Sequence, residues 1–97
     1  MGSVEFSDLA ERDLSEISAY IAMEDPRAAR RLLVNIREKC LFLGERPLAG
    51  RRSDDLLPES RCFPAGKYLI FYEIHDDGIV VIRIVHGARD LRTIFPE

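Results

Sequence analysis

The chain has 97 residues, 46% apolar and 32% charged, which is the composition of one globular domain with room for a single modest core. Its formal net charge of −3 excludes the overall basic excess on which non-specific nucleic-acid binding depends. No apolar run approaches the roughly 18 residues of a membrane span, and the first residues lack the basic and apolar regions of a secretory signal, so no membrane association and a cytoplasmic location are expected.

Val4–Phe6 is a short strand candidate, followed by Ser7 placed to cap a helix. Leu14, Ile17 and Ile21 recur at helical spacing, with Leu9, Ala10 and Tyr20 near the same stripe. Pro26 disfavours helical geometry at Asp25, which stops this helix near Glu24. Asp25 and Pro26 then read as the N-cap and first position of a second helix, carried by Ala29, Leu32, Leu33, Ile36, Cys40 and Leu43. Gly44 suits the position just past its end, and Pro47 blocks continuation. Two helices joined by so short a turn are expected to be antiparallel neighbours. Acids dominate from Glu5 to Asp25, where Arg12 is the lone base, and bases dominate from Arg27 to Arg52. That asymmetry predicts ion pairs along the rim of the hairpin, each contributing only about 0–1 kcal/mol when exposed.

From Arg46 to Ser60 the composition is that of a loop. Arg61–Phe63 is a short strand ending at Pro64, and Lys67–Ile74 is a longer one. Asp76–Gly78 turns the chain into a last strand, Ile79–Val85. On that strand Val80, Ile82 and Ile84 form the better face for packing on the helices, because Arg83 interrupts the other. The expected fold is α+β: one strand, an antiparallel helical hairpin, then a three-stranded antiparallel meander, all within a single domain spanning residues 1–97. One sheet face stays partly open, and a target is expected to dock there. Cys40 and Cys62 read as buried free thiols, and with only His75 and His86 besides, no metal or cofactor is expected.

Four segments carry a resemblance. Tyr20-Ile21 with Asp25-Pro26-Arg27-Ala28-Ala29-Arg30 resembles the helix-to-helix corner of ParE-like toxins. Pro47-Leu48-Ala49-Gly50-Arg51 is similar to the Pro-x-x-Gly-Arg loop of that family. Arg61 to Tyr72 resembles its second and third strands, and Ile82 to Asp90 its last strand and following turn. The pieces stand in family order over nearly the whole chain. The resemblance to the ParE/RelE superfamily implies a toxin held inactive by an antitoxin whose C-terminal segment wraps it, in a hetero-oligomer. It implies one of two activities, inhibition of DNA gyrase by ParE-type members or ribosome-dependent mRNA cleavage by RelE-type members, and the shared fold does not choose between them.

Metal-free RNA cleavage requires a base for the 2′-hydroxyl, an acid for the leaving oxygen and cations for the phosphate. Laid on the RelE tail, His86 to Phe95 keeps the phosphate-binding arginine as Arg89, but the catalytic tyrosine position falls on Phe95, and no tyrosine follows Tyr72. As a nuclease the chain would rely on His86, Lys67 and Arg89. The acidic balance and the missing hydroxyl favour the gyrase-directed reading, in which no catalytic residue is needed, no direct specific nucleic-acid binding by the chain alone is expected, and a ParD-like antitoxin neutralises it. Arg51, Arg61, Arg83, Arg89 and the segment Leu91 to Phe95 are then the target contacts, although Arg61 and Arg83 read equally as structural ion pairs. Tyr20 and Met23, with Arg27, Arg30, Arg31 and Arg37, are the antitoxin contacts, against the blander reading of a solvated helix face.

Overall fold

The structure, a computed structural model, describes residues 2–89 and 91–94. The Oγ of Ser7 accepts the Ala10 amide at 3.0 Å and donates to the Ile82 carbonyl at 2.8 Å, so one side chain both caps α1 (Asp8–Ala22) and ties it to the sheet. Asp25 Oδ1 accepts the amides of Arg27 and Ala28, each at 3.1 Å, at the start of α2 (Pro26–Glu45). Both caps fall where local chemistry puts them.

The sheet has five strands: β1 (Ser3–Phe6), β2 (Arg51–Arg52), β3 (Arg61–Ala65), β4 (Tyr68–His75) and β5 (Gly78–His86). Their spatial order is β1-β5-β4-β3-β2, with β1 parallel to β5 and every other pairing antiparallel. The meander is therefore extended on both sides. The segment from Arg46 to Ser60, expected to be loop, contains a 3-10 turn at Pro47–Ala49 and the two residues of β2. A last short helix, α3 (Leu91–Ile94), follows β5. Among the described residues no helix is long and apolar enough to cross a membrane.

The main core lies between the helices and the sheet. Ala10 from α1 and Ile36, Cys40 and Leu43 from α2 meet Ala65, Ile70, Tyr72, Ile79, Val81 and Ile84. This corrects the expected face of β5. Tyr72 pairs with Val81 and Phe71 with Arg83, so Ile82 is an extra residue without a partner across the ladder. The bulge switches the alternation: Ile79 and Val81 face the helices before it, and Ile84 does so after it.

Two further expectations change. Gly44 is a buried residue inside α2, and a Cβ there would lie 2.8 Å from Val4 Cγ2 and 3.2 Å from the Gly2 carbonyl oxygen. Its smallness serves the close crossing of β1 over the helix. Nor do the helices exchange ion pairs: among the described residues no acid of α1 lies within 4 Å of a base of α2. The acidic and basic faces both point to solvent, and apolar burial holds the hairpin.

The opposite sheet face is less open than expected. Cys62, Phe71 and Val85 form a second apolar cluster with Leu56, Leu69 and Leu91 packed on it. The segment over it is pinned by a buried contact of 2.6 Å between the hydroxyls of Ser53 and Ser60. Both thiols are free and buried, and burial pushes the Cys40 thiol up to about 11 from an ordinary 9.0. A raised folded-state pKa means stability intact below about pH 9 and lost as pH climbs toward 11, where the unfolded chain sheds the proton more readily. Native protein at pH 8 should therefore resist a thiol-specific reagent for hours and react at both cysteines once unfolded in guanidinium.

Candidate functional site

Beyond Val81, β5 has no strand beside it on the β1 side. β1 pairs with it only from Gly78 to Val81, and the chain then leaves through Ser7 into α1. Asp13, one turn and a half along α1, covers part of the abandoned edge. Its carboxylate accepts Arg83 Nε at 2.8 Å, Arg83 Nη2 at 3.0 Å and the Ile84 amide at 2.9 Å. The fork geometry is the strong, bidentate form of this pair. Asp13's hydrogen bonds raise the Arg83 pKa above its ordinary value, against the opposing effect of burial. Of the two readings offered for Arg83, its position fits the structural ion pair.

Past Asp13, α1 and β5 diverge and leave a cleft of about 420 Å³. Ile17, Tyr20, Tyr68 and Ile84 supply apolar and aromatic surface, while Glu16, His86 and Arg89 supply polar groups. Tyr68 and His86 meet edge to face with centroids 5.2 Å apart. The Ala88 amide donates to His86 Nδ1 at 3.0 Å, so the neutral ring carries its proton on Nε2 and presents a donor to solvent.

The sequence-derived candidates separate into groups. Arg89 and His86 share the cleft, joined by Tyr20 from the antitoxin set. Lys67 is exposed on the turn before β4, where its carbonyl accepts the Gly87 amide at 2.8 Å, and it does not line the cleft. Arg61 and Arg51 sit toward the other edge of the sheet, on β3 and β2. Arg61 Nη1 donates to the Gly50 carbonyl at 2.7 Å, and Tyr72 accepts the Gly50 amide at 2.9 Å while donating to the Pro47 carbonyl at 2.6 Å. These bonds fasten the Pro47–Arg51 loop and hold Arg51 exposed beside Cys62. Phe95 lies outside the described residues. Asp13, Glu16 and Tyr68 escaped the reading of the sequence as site residues; an acid within an apolar helical stripe and a lone arginine within an apolar strand were the available signal for the Asp13–Arg83 pair.

Residues 4–91 match the family model of the ParE toxin of the type II toxin–antitoxin system parDE. The chain belongs to the ParE toxin family. Two curated relatives from Caulobacter vibrioides agree. Toxin RelE3 is 31% identical over 88 residues, covering 90% of this chain and 96% of its own, and toxin RelE2 is 33% identical over 89 residues, covering 92% and 99%. Among solved structures, the chromosomal ParDE system of P. aeruginosa superposes with a TM-score of 0.73 at 23% identity, over 89% of this chain and 96% of that one, which speaks for the fold. The RelBE2 toxin–antitoxin complex of Mycobacterium tuberculosis superposes with a TM-score of 0.64 at 25% identity, over 88% and 96%.

On this ParE-family toxin, the remaining candidates are exposed on the helical hairpin and the turn within it. Tyr20 and Met23 are 73% and 84% exposed. Arg27, Arg30 and Arg31 surround Val34, Asn35 and Glu38 in a shallow depression of about 360 Å³, and Arg37 is exposed on the same helix. Among the described residues, no group of three or more His, Cys, Asp or Glu side chains is placed to hold a metal ion.

Proposed function

We propose that this ParE-family toxin acts as a protein inhibitor of DNA gyrase and is neutralised by a ParD-like antitoxin. The observation that carries the first half is the state of His86. Because Nδ1 already receives the Ala88 amide, the neutral ring has no free lone pair and offers only a proton donor to the cleft. The 2′-hydroxyl of an RNA needs an acceptor there. Nearby carboxylates serve the purpose poorly: Asp13 is consumed by Arg83 and Ile84, and Glu16 adds negative charge where a phosphate would have to sit. A recognition surface carries none of these requirements. Arg89 in the cleft, and Arg51 held out by the Tyr72 and Arg61 bonds, supply exposed cations for a protein partner. Exposed Tyr20 and Met23, with Arg27, Arg30, Arg31 and Arg37, suit an acidic amphipathic segment of the antitoxin.

The test is direct. Purified toxin should block gyrase supercoiling or trap cleaved DNA, and should leave mRNA intact on programmed ribosomes. Arg89→Glu should weaken the gyrase effect by about tenfold or more, the cost of inverting one charge at the rim of the contact. Cut mRNA with gyrase unaffected would replace this reading by the RelE-like one.

A further inference from the structure

The outer surface of α2 carries its charges in two blocks. Arg27, Arg30 and Arg31 stand exposed in the N-terminal half, and Glu38 and Glu45 stand exposed in the C-terminal half. None of the five pairs with an opposite charge among the described residues. Glu45 accepts the Gly2 amide at 2.8 Å, which leaves its charge unmatched. Two exposed apolar residues, Val34 and Leu41, share this surface at 51% and 56% exposure. They lie two helical turns apart and so stand on one line along α2. Around Val34 the surface is hollow: Arg27, Arg30, Arg31, Val34, Asn35 and Glu38 bound the depression of about 360 Å³. These positions follow the i, i+3, i+4, i+7 pattern from Arg27 and again from Arg31, the pattern of the hole that receives a side chain from a facing helix. Leu41 is a projecting apolar side chain of the matching kind.

We propose that the toxin pairs with a second copy of itself through the outer surface of α2, Leu41 of each copy seated in the depression beside Val34 on the other. A helix with a knob, a hole, a basic half and an acidic half is complementary to its own antiparallel copy. A two-fold axis near the middle of α2 lays the arginines of each copy on the glutamates of the other and brings each Leu41 to the facing depression. The order of the charges selects this occupant. A wholly acidic partner matches the arginines but opposes Glu38 and Glu45, and a parallel copy sets like charge against like. The pairing goes beyond the gyrase and antitoxin readings and needs no other protein. Where an antitoxin takes the same arginines it displaces the second copy, so pairing is a property of the free toxin. One helix laid on another covers less than the roughly 1,200 Å² of a standard interface, so association in the micromolar range is expected.

Sedimentation velocity of the purified toxin alone, from about 5 to about 200 µM, tests this. The native chain should pass from monomer to dimer across that range. Leu41→Ser should raise the dissociation constant by about tenfold or more, since it removes the apolar side chain from the contact. Two charge-block variants give the decisive comparison. Glu38→Lys/Glu45→Lys and Arg27→Glu/Arg31→Glu should each stay monomeric alone, and their equimolar mixture should dimerise, because each block then meets its opposite at both ends of the contact. Every substituted position is exposed, and the changes place acids early and bases late in α2, as the helix dipole favours, so both variants should fold; thermal melts check that they do. A native chain that stays monomeric throughout overturns the proposal. So does dimerisation unchanged by Leu41→Ser, or a mixture of the two charge variants that is no more associated than either one alone.

Discussion

Replacing Asp13 with alanine is expected to lower the melting temperature by about 10–20 °C, the result of losing roughly 2–4 kcal/mol in a domain of this size. The magnitude follows from what the carboxylate holds. It is 10% exposed and accepts two hydrogen bonds from a guanidinium that is itself 21% exposed, together with the Ile84 amide on the open edge of β5. Alanine takes from a mostly buried cation the carboxylate that accepts two of its hydrogen bonds and leaves a strand amide without that acceptor, and losing a buried partner costs more than the bond itself contributed. A thermal melt of Asp13→Ala beside Arg83→Met and the double variant apportions the two effects. Arg83→Met removes the charge and keeps an apolar stem, so the double variant should be more stable than Asp13→Ala alone, recovering the part due to the arginine's loss of the Asp13 carboxylate. The part due to Ile84 should remain. Additive losses in the cycle would mean that the pair contributes nothing as a pair.

What the sequence disclosed, and what it withheld, divides along the range of the interactions. The caps at Ser7 and Asp25 depend on amides two and three residues away and were legible at once. So were both helices, the β4–β5 hairpin and the burial of the two cysteines, because periodicity and turn residues are local signals. The face of β5 was misread because the bulge at Ile82 is set by pairing with a strand about ten residues upstream, and a period of two cannot reveal where it slips. Gly44 was assigned to a helix end for the same kind of reason. A glycine near the end of a helical pattern looks alike whether it supplies an unusual backbone angle or space for another chain, and here β1 arrives from forty residues away. At the site, His86 and Arg89 stood out as a histidine and an arginine at a strand end. Glu16 did not, since acids dominate its neighbourhood in the chain and only the fold brings it to the cleft that Arg89 also lines. The separation of the charged faces of α1 and α2 is the clearest case in which composition suggested a contact that geometry does not make.

Gly50→Ala is expected to destabilise the toxin by about 3 kcal/mol, near the upper end for forcing one methyl into a packed interior. Gly50 has an extended backbone that any residue adopts, so the cost arises from space and not from conformation. A Cβ at this position would stand 2.4 Å from the Tyr72 hydroxyl, 2.8 Å from its Cε1 and 2.9 Å from the Cys62 carbonyl oxygen. None of these yields easily. Tyr72 is fully buried, and its hydroxyl is committed to the Gly50 amide and the Pro47 carbonyl; the Gly50 carbonyl is itself held by Arg61. To admit the methyl, the loop has to lift off β3, and Arg51 moves with it. Tyr72→Phe makes the argument testable. Alone it should cost about 1–3 kcal/mol, because it strands the Pro47 carbonyl and the Gly50 amide. In the Gly50→Ala background it should cost clearly less, since the hydroxyl that obstructs the methyl is gone and its bonds are already strained. Denaturant titrations of the four proteins give the coupling. Equal costs of Tyr72→Phe in both backgrounds would show that the loop relaxes around the methyl without involving the hydroxyl, and that the glycine in this Pro-x-x-Gly-Arg segment is needed for some other reason.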